Sequence, residues 1–96
     1  MIAPEVVRYH TSEGVRTAII VDRGRKFLHV IPMEDRAVRV RKVPLTEERL
    51  MEPLTLRGKP YPPKRAVRHF ARHGKGFGIT KKAKSFLREV KNSGTD

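Results

Sequence analysis

Pro60, Pro62 and Pro63 divide this chain into two stretches whose apolar residues recur with different periods. Before them the period is near two, the repeat of a strand with one dry face. After them it is near 3.6, the repeat of an amphipathic helix. Proline interrupts helix and ladder hydrogen bonding alike, so neither pattern can run through the cluster. The expected fold class is α+β: an N-terminal antiparallel sheet of four to five strands over residues 1–56, then two basic amphipathic helices at 64–91. A proline-rich linker at 57–63 joins them, and residues 92–96 form a tail.

Within the first stretch Val7 and Tyr9 alternate with Arg8 and His10, and Thr11-Ser12-Glu13-Gly14 supplies a glycine-containing hairpin connection. Val15, Thr17, Ile19 and Val21 line one face of the next strand, which Asp22-Arg23-Gly24 ends. Phe27, His29 and Ile31 oppose Lys26, Leu28 and Val30 in a third, broken at Pro32 to Asp35. Arg36 to Val43 alternates most cleanly, with Val38 and Val40 facing one way and Arg39 and Arg41 the other. Pro44 should stop the sheet, Leu45 to Met51 suits a helical turn capped by Thr46, and Leu54 to Leu56 reads as a fifth, short strand.

Four strands, a helical turn and a short fifth strand is the order of SH3-like barrels, and the segment resembles the small barrels of the KOW and Tudor type. That resemblance implies a fold and no binding residues. A four-strand open meander packed on the C-terminal helices is the competing architecture. The run Arg36-Ala37-Val38-Arg39-Val40-Arg41 is similar in style to small basic proteins of actinobacterial phages, which implies a host cytoplasm as the setting.

Beyond the prolines, Ala66, Val67, Phe70 and Ala71 share one arc of a helix wheel, and Lys64, Arg65, Arg68, His69, Arg72 and His73 fill the other. Gly74 is placed to end this helix. A second runs from Thr80, as its cap, to about Lys91, with Ala83, Phe86, Leu87 and Val90 on one face and Lys81, Lys84, Arg88 and Lys91 opposite. Helices this short are unstable alone, so each must dock, and Phe70, Phe86 and Leu87 are expected to be buried.

The formal charge is +12. Twelve bases and one acid, Glu89, lie between Arg57 and Lys91, whereas residues 1–56 carry ten bases and eight acids. A solvated face normally mixes both signs, so this asymmetry points to a polyanionic partner, DNA or RNA. The candidate phosphate contacts are Lys64, Arg65, Arg68, Arg72, Lys75, Lys81, Lys82, Lys84 and Arg88, with Arg39 and Arg41 extending that surface onto the sheet. The absence of cysteine fits a reducing compartment, and no run spans a bilayer, so a cytoplasmic protein with no membrane partner is expected. No cofactor, metal or small-molecule substrate motif is present, and an enzyme is not expected.

Three further patterns bear on function. Helix, turn and helix invites a helix-turn-helix reading with Lys81, Lys82, Lys84 and Ser85 at a groove, but Gly74 to Ile79 would make a six-residue connection against the usual ~3–4. Gly74-Lys75-Gly76-Phe77-Gly78 reads either as a phosphate-contacting loop or as a flexible connection whose Phe77 pins itself to the core. His69 and His73 have the i, i+4 spacing of metal ligands, yet they stand among cations and read better as polar members of the basic face. Two other functions are open: docking on an acidic host protein, and a small ribonuclease using His10 or His29 as general base.

Overall fold

A computed structural model describes residues 4–92, of which Glu5–Thr11 (β1) and Gly14–Arg23 (β2) form the first hairpin. Phe27–Pro32 (β3), Arg41–Pro44 (β4) and Met51–Pro53 (β5) complete a five-stranded antiparallel sheet in the order β4-β3-β2-β1-β5. A 3-10 turn, Leu45–Leu50, leads into β5. Two helices follow, Pro63–Phe77 (α1) and Lys81–Lys91 (α2). The α+β class and the order of sheet before helices are as the apolar periods require.

Both faces of the sheet are dry. Val6, Ile19, Val21 and Ile31 on one face pack with Ala66 and Phe70 of α1 and Ala83, Leu87 and Val90 of α2. Val7, Ala18, Ile20, Leu28 and Val30 on the other face gather beneath Tyr9, Val43, Leu45 and Met51. Cross-strand register keeps the two sets apart: Val6 faces Ile19 and Ile19 faces Ile31, while Ile20 faces Val30. Between Ile20 and Asp22 the register with β3 shifts by one residue, a bulge that bends the strand and increases its twist. A bent sheet that closes over its own second core is compatible with a small barrel-like fold.

The strand expected at 36–43 forms only from Arg41 onward. Val38 leaves the sheet for a parallel bridge with Ile79. Its N–H donates to the Gly78 carbonyl and its carbonyl accepts from the Thr80 N–H, both at 3.0 Å. The connection between the helices thus outcompetes β3 for this backbone. Pro44 is the last residue of β4, and the 3-10 turn after it has no side-chain cap from Thr46. The fifth strand is Met51–Pro53, paired with β1.

Residues 57–63 are ordered structure. Thr55–Leu56 (β6) pairs with Lys59–Pro60 (β7) across a two-residue turn, Arg57-Gly58. Pro62 caps α1 and Pro63 is its first residue, where proline's missing N–H costs nothing. At its other end α1 runs through Gly74 and stops at Gly78, whose φ is 93°. The expected stop at Gly74 does not occur, and the helix is one turn longer than the pattern implied. Thr80 caps α2 as expected, accepting from the Ala83 N–H at 3.2 Å. Of the three expected core residues, Phe70 and Leu87 are buried and Phe86 is only half-buried. Of the expected tail, Asn92 is the C-cap of α2, and residues 93–96 lie outside the described residues.

Candidate nucleic-acid interface

The two helices carry most of the predicted site. On α1, Arg65, Arg68 and Arg72 fall within one arc that Lys64 and Lys75 extend. All but the half-buried Lys64 are exposed. Their exposure follows from packing, because Ala66 and Phe70 occupy the buried arc of the same helix. On α2 the buried Ala83, Leu87 and Val90 likewise leave Lys81, Lys82, Lys84 and Arg88 in solvent. Between the helices runs an apolar groove of ≈ 280 Å³ floored by Val67, Ala71, Ile79 and Leu87, with Lys84, Arg88 and Lys91 on its rim. The cations on this rim all belong to α2, while Arg68 and Lys75 stand farther around the α1 wheel from Ala71.

Among the described residues, the arginine–carboxylate pairs all fall outside the two helices. Arg8 pairs with Glu52, Arg16 with Glu13 and Arg23 with Glu48. The Arg23 guanidinium donates to Glu48 and holds that carboxyl below the usual carboxylate range. Arg39 and Arg41 both turn to Asp35, at 3.9 and 2.6 Å. Among the described residues, Arg65, Arg68, Arg72, Lys75, Lys81, Lys82, Lys84 and Arg88 form no ion pair with a carboxylate. Arg39 and Arg41, expected to extend the surface, therefore sit with a carboxylate between them, while these eight helical cations do not.

No family model, curated protein or solved structure matches this chain.

The glycine-rich segment is neither of the two loops expected of it. Residues 74–77 are the last turn of α1, and Phe77 is 55% exposed, lying against the His73 ring at 4.9 Å instead of in the core. The connection to α2 is Gly78-Ile79-Thr80, three residues in place of six. His69 and His73 face the segment after β3: His69 Nε2 lies 3.2 Å from the Met33 carbonyl and His73 Nε2 2.7 Å from that of Asp35. Their rings stack at 5.9 Å. These histidines tie α1 to the sheet, and among the described residues no group of three potential ligands could hold a metal.

His10 and His29 are not brought together. His10 pairs with Val15 and His29 with Asp22, seven residues apart along β2, or about 23 Å at strand rise. Half-burial pushes the Tyr9 hydroxyl above its ordinary range. Tyr9 lines a separate polar cleft with Arg16, Asp35 and Arg41.

A basic element outside the predicted site is the β6-β7 hairpin, where Arg57 and Lys59 flank Gly58. The signal for it is Gly58, since a glycine can close a two-residue hairpin even where the residue before it must take a strained positive φ.

Proposed function

We propose that this protein is a nucleic-acid-binding accessory protein, not an enzyme, and that it holds the phosphate backbone through the cations of α1 and α2. The observation that carries this reading is the partition of charge: ten acids stand against twenty-two bases, and among the described residues the ion pairs take up Arg8, Arg16, Arg23, Arg39 and Arg41, while Arg65, Arg68, Arg72, Lys75, Lys81, Lys82, Lys84 and Arg88 pair with no carboxylate. A basic face left without counter-charge gains affinity for polyanions by releasing condensed counterions, independently of sequence. The three-residue connection removes the length objection to a helix-turn-helix arrangement. In that arrangement Lys81, Lys82, Lys84 and Ser85 form the leading turn presented to a groove. For the sheet, β5 beside β1 and a 3-10 turn before β5 support the SH3-like barrel order, and a phage-type setting would make a host cytoplasm its compartment.

The test is affinity for a DNA duplex and for single-stranded RNA as salt is raised. With about six phosphate contacts, log affinity on the duplex should fall against log salt with a slope near −5. Absence of binding to either polymer at low salt would refute the reading. The apolar floor of the groove between the helices favours one alternative, an acidic host protein that buries aliphatic side chains there, and it would then lead.

A further inference from the structure

The β6-β7 hairpin is cationic and makes no strand pairing with the main sheet. Thr55 pairs with Pro60 and Leu56 with Lys59, leaving only Arg57 and Gly58 to turn the chain. Both have positive φ, 56° and 79°, the two-residue turn whose twist matches the flanking strands. Asparagine followed by glycine is the favoured pair for this turn. Arginine is disfavoured in the left-handed region, so its presence at the first position costs the fold stability. The base of the hairpin is anchored by the Tyr61 N–H donating to the Leu54 carbonyl at 2.8 Å, with both side chains against the main core.

Between this hairpin and the start of α1 lies a cleft of ≈ 460 Å³ lined by Leu56, Arg57, Lys59, Pro60, Pro62 and Arg65. It holds three cations and no carboxylate. The Arg65 guanidinium is set over the Tyr61 ring, 5.9 Å from its centroid. Like charges around one concavity repel, and an anion seated between them lowers that energy. The volume exceeds what an isolated phosphate fills, and the prolines with the exposed Leu56 offer apolar surface beside the charges, which suits a sugar and base next to a phosphodiester. Arg65 also begins the Arg65, Arg68, Arg72 arc, so one backbone can run from that arc into the cleft.

We propose that the β6-β7 hairpin and Arg65 form a phosphodiester clasp, a second anchoring point for the nucleic acid bound along the helices. The proposal rests on the nucleic-acid reading above and adds Arg57 and Lys59 to its site. The strained arginine is kept for contact, at the expense of the turn.

The experiment compares wild type, Arg57→Asn, Arg57→Lys and the double variant Arg57→Asn/Lys59→Thr, on a short DNA duplex and a single-stranded RNA oligonucleotide. Arg57→Asn should raise the melting temperature by installing the favoured turn, and yet flatten the salt slope by about one unit; the double variant should flatten it by about two. Arg57→Lys should keep the slope. Loss on both polymers assigns the shared backbone, and loss on one assigns the polymer that enters the cleft. A wild-type slope in the double variant, with wild type itself binding, overturns the clasp and leaves the helical reading intact. A lower melting temperature in Arg57→Asn, with Arg57→Lys losing the same slope, makes the residue structural and also overturns it. No binding by wild type fells both readings together.

Discussion

The Ile79 side chain occupies the space that a Cβ on Gly74 would need. An atom built there would overlap Ile79 Cγ1 and Cδ1. This contact is why a glycine stands inside α1 and why the helix can pass through it: the residue serves close packing of the inter-helix turn, not chain termination. Gly74→Ala should destabilise by about 1 to 3 kcal/mol through overpacking, despite the better helix propensity of alanine. In an Ile79→Ala background the same change should instead stabilise, by up to about 1 kcal/mol. Chemical denaturation of the four proteins checks the reversal of sign; additive losses would refute it.

Phe70 has no exposed surface and stands where both helices and the sheet meet. Phe70→Ala should therefore cost about 3 to 5 kcal/mol. Phe86, edge-on to His29 at 6.3 Å and half-buried, should cost clearly less. Equal losses in urea midpoint would place Phe86 in the core after all.

Replacing Arg65, Arg68 and Arg72 by alanine removes up to three phosphate contacts while keeping helix propensity, so the salt slope on duplex DNA should flatten by about 2 to 3 units. Arg39→Ala/Arg41→Ala should change the slope less than the helix triple, because both guanidinia are held at Asp35, whose charge offsets one of the two. The reverse pattern, measured by fluorescence anisotropy over a salt series, would move the site to the sheet.

His73→Ala should cost about 1 kcal/mol by removing the bond to the Asp35 carbonyl. Amide exchange should quicken first at Val38 and Thr80, whose N–H groups donate in the bridge between that segment and the helix turn. Exchange unchanged at both, despite the loss of stability, would mean that His73 acts only within α1.

The sequence by itself determined that a sheet precedes two helices, and which side of each helix faces water. Ala83, Leu87 and Val90 on α2, and Ala66 with Phe70 on α1, are buried as their spacing requires, since a helix buries whichever face is apolar. The same spacing turns Arg65, Arg68, Arg72, Lys81, Lys84 and Arg88 outward, and all six are exposed. Tertiary structure decided what depends on partners distant along the chain. Val38 has the pattern of a strand residue, but its backbone pairs with Gly78 and Thr80, some forty residues away, and alternation records only which face is dry, not which neighbour supplies the hydrogen bonds. Gly74 and Gly78 look alike in sequence, and only the position of Ile79 makes one a packing site and the other the helix end. The prolines read as a linker because they exclude a long helix or a central strand, yet they are compatible with a short edge ribbon and a helix start, and the core contact of Leu54 and Tyr61 selects those. The pairing of Arg39 and Arg41 with Asp35, only four and six residues away, was hidden for a different reason: a bent segment, not an alternating strand, brings them together.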